Sequence, residues 1–498
     1  MTALHPPAPA VPGPVPPDRL TAGFPPVREV DVAALAAQVA AGRTLVVLDD
    51  DPTGTQSITD LPVLTSWSVD DLRWALRQDS PAFFVLTNTR SLGEEAAAAR
   101  GRDLARALAA AAEAEGVDYV LASRSDSTLR GHYPLETDVL ARELAAAGRP
   151  VDGVVIVPAF IEPGRLTVGS VHWMRTGEGM IPVSHSEFAR DATFGYANAD
   201  LRDWVEEKTG GRIRRADVAT VTLHDLRAGG PERVADVLGG LRDGQPVVVD
   251  AATDDDLRVL VQGLLAAEDG GGRFLYRTGP SFVRARSGQA ATPPTDADRL
   301  RAAMAVLDDP TLDPRPRARH GLIAVGSHVA LTTRQLDRLR AAGGIVELEL
   351  DVPTLLDADR GPAHVAATVD RAVELLAGGA DGDLVVRTSR TLVPGRDPAD
   401  SLAIARMVSA ALVAVVREVV ARIRPAFVLA KGGITSSDTA TAALAITRAW
   451  SRGTLLPGTV SVWEPVSGPA RGVPYVVFAG NVGDDDALVG ALRTLRSL

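Results

Sequence analysis

What most restricts this chain is a rhythm. Short apolar runs end in small or acidic residues, and long stretches rich in alanine and leucine lie between them. In the first half the runs are "TLVVL" (44–48), "AFFVL" (82–86), "DYVLA" (118–122), "GVVIV" (153–157) and "PVVVD" (246–250). In the second half they are "GLIAV" (321–325), "IVELEL" (345–350), "DLVVRT" (383–388), "AFVLA" (426–430) and "YVVFA" (475–479). Helical stretches such as 94–116 separate several of them. Apolar strands alternating with helices predict α/β architecture, with mostly parallel sheets covered by helices on both faces. A chain of 498 residues is too long for one ordinary core, so two such domains with a cleft between them are expected. The polar, proline-rich stretch 284–319 reads as the connection, with one short helix in it.

Composition removes several function classes. The chain has no cysteine, which excludes disulfides, thiolate catalysis and cysteine-based zinc sites. Its net charge of −11 argues against nucleic acid and anionic membranes as partners. An anionic substrate must therefore be held by a local arginine cluster. No apolar run approaches a membrane span, and the first 26 residues, with nine prolines, lack the basic and apolar regions of a secretory signal. They predict an extended, mobile tail, and residues 1–40 as a whole a tail and lead-in. The expectation is a soluble cytoplasmic protein, with a homo-oligomer left open.

In open α/β sheets, ligands sit beyond the carboxyl ends of the strands. The first run ends in Asp49, Asp50 and Asp51, followed by Thr53 and Gly54. The second leads into Asn88 and Arg90, and the third into Arg124, Asp126, Ser127, Thr128, Arg130 and Gly131. One aspartate after a strand is commonly a helix cap, but three in succession exceed capping needs. Aspartates accept protons from hydroxyls and arginines grip carboxylates with paired hydrogen bonds. Together these groups suit a small hydroxylated anion. Two other readings share the opening stretch. A calcium loop fails because a strand precedes it and Asp60 replaces the closing glutamate. "VVLDDDPT" also fits the D-x-D-x-T signature of haloacid-dehalogenase-like phosphatases, with Asp49 and Asp51 as the working pair. That reading leaves "RSDSTLRG" and the whole second half without a task.

Three strands of the second half end in small-residue turns before helices. Gly326, Ser327 and His328 follow the first; Lys431, Gly432, Gly433, Ile434 and Thr435 follow the second; Gly480, Asn481, Gly483 and Asp484 follow the third. Glycine lets backbone N–H groups approach a ligand closely. Three such turns point to a phosphate-bearing ligand, most naturally a nucleotide, and Asp484 is a candidate to serve a magnesium ion. There is neither a P-loop nor a dinucleotide fingerprint.

The segments "LDDDPTGTQ", "TNTRSL", "RSDSTLRGHYPLE", "VPAFIEPGRLTVGSVHW", "SEFARD", "AKGGITSSDTA" and "FAGNVGDDDAL" resemble, in this order, the four-carbon acid sugar kinase family. The resemblance implies a sugar-acid-binding domain over 41–283 and a nucleotide-binding domain over 320–498. It also implies ATP-dependent phosphorylation of the terminal hydroxyl of a threonate-, erythronate- or 3-oxo-tetronate-type acid, with magnesium. Asp50, Asp51, Arg90, Arg124, Asp126, Ser127 and Arg130 match the family's substrate side. Ser327, Gly432 to Thr435 and Gly480 match its nucleotide side. Arg124 stands where relatives carry lysine, and Val329 where they carry a second serine. Either Asp126 or Asp51 is then the group that orients and deprotonates the hydroxyl. A dehalogenase-like phosphatase and a non-catalytic sugar-acid sensor are the competing readings.

Overall fold

The computed structural model describes residues 13–304, 313–379, 381–390, 393, 396 and 398–498. The chain forms two compact units that do not follow its linear order. The first gathers the residues up to Gln38 with Ser125–Arg286, and the second gathers Val39–Arg124 with Ser287–Leu498.

In the first unit four parallel strands lie in the order Phe274–Thr278, Gly153–Val157, Gln245–Val249 and Ala219–Val221. Gly153–Val157 is buried at every position, as a strand covered on both faces must be. Helices including Leu135–Ala146, Leu201–Lys208 and Asp254–Asp269 accompany them. The last begins with a reciprocal cap between Thr253 and Asp256. An antiparallel meander, Arg165–Val168, Val171–Thr176 and Gly179–Pro182, completes the unit. Tyr133 stacks on Trp204 at 4.5 Å within its core. The expected mobile tail is corrected in part. Val15 and Met180 exchange two backbone hydrogen bonds of 2.9 and 2.8 Å, which dock the segment after Gly13 onto the meander edge. Residues 1–12 of that tail lie outside the described residues.

The second unit is one continuous sheet. Its strands run Ile345–Leu350, Asp383–Thr388, Leu322–Val325, Val428–Lys431, Tyr475–Phe478, Thr459–Pro465, Arg448–Leu456, Leu61–Leu64, Ala82–Leu86, Thr44–Asp49 and Tyr119–Arg124. The first five are mutually parallel, as are the last four. The hairpin Arg448–Leu456/Thr459–Pro465 joins the two blocks by antiparallel pairing, so the blocks run in opposite senses.

Sequence order placed 41–283 in one domain, whereas compactness groups 39–124 with the second half. Two contacts show why. Leu61–Leu64 pairs with Arg448–Leu456, and Trp463 Nε1 donates to Thr55 Oγ1 at 2.9 Å. The stretch read as a connection holds the expected short helix, Ala297–Met304, and its residues 305–312 lie outside the described ones. Among the described residues no helix is long and apolar enough to cross a membrane.

Candidate functional site

The three aspartates meet three different environments. Asp49 closes its strand in register with Leu86 and Arg124 on either side. Its carboxylate accepts from Arg124 Nη1 at 3.0 Å, and both side chains are buried. Burial pushes the Asp49 carboxyl up to about 7; the Arg124 charge offsets this in part, while Asp50 and Asp51 add to it. A side chain on Gly54 would overlap that carboxylate, its Cβ falling 1.6 Å from Oδ2. Asp49 is thus sealed beneath the turn, which takes away the access a phosphatase nucleophile needs. Asp50 is also buried and binds Arg90 through both carboxylate oxygens.

Asp51 alone of the three reaches open space. Its Oδ1 accepts from the Thr53 N–H at 2.9 Å, and Arg90 Nη1 lies 3.4 Å from Oδ2. Burial raises its pKa, but Arg90 and the Thr53 hydrogen bonds outweigh that and hold it below the usual carboxylate range. Arg90 is placed by Asn88, whose φ of 49° turns the chain into the short helix Thr89–Ser91. Arg124 retains a spare donor, since its buried Nε has no hydrogen-bond partner among the described residues.

The glycine turns interlock. The Ser327 hydroxyl lies 3.1 Å from Thr332 Oγ1, which in turn lies 3.0 Å from the Gly480 carbonyl. A Cβ on Gly480 would come within 2.4 Å of Ser327 Oγ, and one on Gly326 within 2.4 Å of Thr435 Oγ1. At these positions glycine is required first by the neighbouring turn. Gly433 is different: a Cβ there meets nothing within 4 Å. Arg390 braces the group from behind, through the Ser327 carbonyl and through Thr333 Oγ1 at 2.6 Å.

A cavity of about 530 Å³ in the second unit brings the two sets together. Its walls are Asp51, Pro52, Asn88, Arg90 and Ser91 on one side. Gly326, Ser327, Val329, Gly432, Gly433, Ile434, Thr435, Gly480 and Asn481 form the other. A second cavity of about 260 Å³ shares Gly326, Ile434 and Thr435 and is otherwise mainly apolar, with Val352, Val408 and Leu412 in its wall beside His328. Gly483 and Asp484 do not line either. Gly483 packs where a Cβ would strike Ala487, and Asp484 is exposed and accepts from the Asp486 N–H at 3.1 Å. Among the described residues no group of three or more His, Cys, Asp or Glu is placed to hold a metal. Magnesium ordinarily takes one or two carboxylates and completes its shell with phosphates and water, a pattern that the single Asp51 fits.

The remaining candidates lie in the first unit. Asp126 accepts from Arg130 Nε at 2.6 Å and from the Thr128 hydroxyl. Arg130 also lies 3.6 Å from Asp191 and covers the Phe188 ring at 4.8 Å. The loop is tight: φ is 68° at Leu129 and 120° at Gly131. Two side chains that the motifs did not single out clamp it. The Tyr196 hydroxyl donates to the Thr128 carbonyl at 2.6 Å, and His172 Nε2 donates to the Ser127 carbonyl at 2.8 Å. His172 Nδ1 accepts from Thr167 Oγ1 at 2.9 Å, which fixes the neutral tautomer, and burial pulls its pKa down to about 4. Their only sequence signal was position inside the quoted "VGSVHW" segment and just beyond "SEFARD". A larger open groove of this unit, about 890 Å³ beside Tyr133, Arg142 and Arg212, contains none of the candidate residues.

Residues 45–286 match a family described as a sugar-binding N-terminal domain, and residues 322–488 one described as a nucleotide-binding C-terminal domain. The chain is 28% identical over 283 residues to the D-erythronate kinase of Heliobacterium modesticaldum, covering 56% of this chain and 55% of that protein. It is 29% identical over 308 residues to the D-threonate kinase of Cupriavidus necator, covering 61% and 65%. The match therefore spans between half and two thirds of each relative's length. A solved Haemophilus influenzae structure shares the fold with a TM-score of 0.59 at 18% identity, over 90% of this chain and 100% of that one.

Proposed function

The chain belongs to the four-carbon acid sugar kinase family, and on that premise we propose that it transfers the γ-phosphoryl group of ATP to the terminal hydroxyl of a four-carbon sugar acid of threonate, erythronate or 3-oxo-tetronate type. The observation that carries the proposal is the shared cavity, in which the Asp51–Arg90 pair faces three glycine turns. Phosphoryl transfer requires positioning and charge neutralisation more than covalent help. Ser327, Gly432 to Thr435, Gly480 and Asn481 offer backbone and hydroxyl groups to the phosphates, and the adjoining apolar cavity suits the flat face of a nucleobase.

Asp51, kept ionised by Arg90 and Thr53, accepts the proton of the attacking hydroxyl or orients it. Magnesium bound on the phosphates and completed by water would supply charge neutralisation, with the Asp51 carboxylate near enough to touch its water shell. On the substrate side, the proposal gives Arg124, Ser127, Thr128, Arg130 and Gly131 the sugar acid's carboxylate and hydroxyls, and Asp50 the task of anchoring Arg90. Asp126 holds Arg130 in place. The working division in chain order, 41–283 for the acid and 320–498 for the nucleotide, is part of the same proposal.

ADP release measured against a panel of tetronic acids tests it. Acid-dependent ADP formation is the expected result. No ADP with any acid, combined with tight binding of one of them, would favour the sensor instead.

A further inference from the structure

The nucleotide side contains one charged group to which the kinase reading gives no task. Lys431 ends the strand Val428–Lys431 directly beneath Gly432 and is fully buried. Its Nζ lies 2.7 Å from the Ala479 carbonyl oxygen, 3.4 Å from that of Gly480, and 3.8 Å from the centre of the Phe478 ring. No carboxylate pairs with it among the described residues. The packed elements offer two titratable groups, and each is engaged elsewhere. Asp438 of the helix Gly433–Asp438 accepts from Ser409 at 2.8 Å, and the Tyr475 hydroxyl donates to the Ser436 carbonyl. The neighbouring strand Leu322–Val325 contains no charged residue.

A buried ammonium without an anion is unfavourable, and a methionine of similar length would fill the same space without that burden. Two features show what the ammonium does in return. A trans peptide sets its C=O and N–H in opposite directions. Nζ holds the Ala479 carbonyl at 2.7 Å and shares that of Gly480 with the Thr332 hydroxyl, so the N–H groups of Gly480 and Asn481 face the other way, where these two residues line the cavity. Among the described residues neither N–H donates to another backbone group. The positive charge also sits immediately behind that wall.

We infer that Lys431 is a positioning residue of the nucleotide site, which turns the 479–481 peptides toward the phosphates and takes up a proton as they dock. This rests on the reading of the glycine turns as a nucleotide cradle. Burial alone brings the free ammonium down to about 7, so above that pH the unliganded protein holds mostly the neutral amine. Arriving phosphates restore the charge.

The test is calorimetry of a non-hydrolysable ATP analogue with magnesium at pH 8, in two buffers of different ionisation enthalpy, on the wild type and K431M. The wild type should take up close to one proton per nucleotide, and its affinity should fall as pH rises above about 7. K431M should bind at least about tenfold more weakly, take up no proton, and melt at or above the wild-type temperature without nucleotide. Wild-type binding with no proton uptake overturns the inference. So does K431M binding as tightly as wild type, or K431M losing its fold together with binding, which would make the lysine a structural tie. A wild type that binds no nucleotide at all fails the kinase reading itself, and is distinguishable for that reason.

Discussion

The two acid-bearing segments of this chain, 49–54 and 126–131, manage charge in opposite ways. In the first, every guanidinium comes from another strand end: Arg90 follows Ala82–Leu86 and Arg124 closes Tyr119–Arg124. Its electrostatics therefore depend on the register of three strands. In the second, Arg130 pairs with Asp126 four residues away, and Thr128 serves the same carboxylate. That loop carries its own short ion pair, with Asp191 a longer second partner of Arg130, and His172 and Tyr196 then fix where it sits. A segment assembled by tertiary structure can expose one ionised oxygen to a ligand while burying the rest. A self-paired loop offers its hydroxyls and backbone instead.

The largest effect follows from assigning the proton transfer to the first segment. Asp51→Asn should lower kcat for acid-dependent ADP formation by about 10²–10⁴-fold, with KM for the sugar acid changed only a few-fold. Asp126→Asn should do the reverse, raising KM as Arg130 loses its anchor while kcat largely survives. Steady-state kinetics on both variants decide the matter. If kcat collapses in Asp126→Asn and persists in Asp51→Asn, the base belongs to the loop and the comparison inverts.

Much of this is legible in the sequence. Runs such as "AFFVL" and "GVVIV" are apolar on both faces because both are covered, and their strands fall at 82–86 and 153–157 as expected. The hairpin Arg448–Leu456/Thr459–Pro465 was not legible. In "RAWSRGTLL" buried residues alternate with half-exposed ones such as Arg448 and Trp450, so no continuous apolar run marks it. Without that hairpin the sequence offers no reason for 39–124 to pack with the second half. The site divides along the same line. Asp51, Arg90 and the glycine turns stand at strand ends and were found there. His172 and Tyr196 act through backbone carbonyls of a loop distant in sequence, and no spacing rule announces such contacts. Lys431 was visible as one of two lysines, but its side chain turns inward from a strand end, where sequence order suggested a turn.

The two segments should also answer acid differently. His172 is neutral in the fold, with a pKa near 4 against an ordinary 6.5. Between those values the unfolded chain binds the extra proton, so stability is lost as pH falls through that window, on the order of 3 kcal/mol at the limit. Asp49 carries the opposite sign. Its folded pKa of about 7 exceeds the ordinary 3.8, so its contribution is full below 3.8 and fades as pH rises through 7. Urea unfolding at pH 7 and pH 5 should show His172→Gln losing less stability on acidification than wild type, and Asp49→Asn losing more. Equal slopes in all three proteins would remove the electrostatic contrast.

The smallest effect probes whether the loop really is self-sufficient. Thr128→Val keeps the shape of a nearly fully buried side chain and removes only the hydroxyl that donates to Asp126. Arg130 Nε remains on the same carboxylate at 2.6 Å, and Tyr196 remains on the Thr128 carbonyl, which the substitution does not touch. One neutral donor to a charged acceptor that keeps its ion pair is worth about 1 kcal/mol. KM for the sugar acid should therefore rise about fivefold, with kcat within twofold and nucleotide affinity unchanged. A loss of kcat as large as that expected for Asp51→Asn would mean that the Thr128 hydroxyl meets the reacting groups directly. The two segments would then share the chemistry rather than divide it.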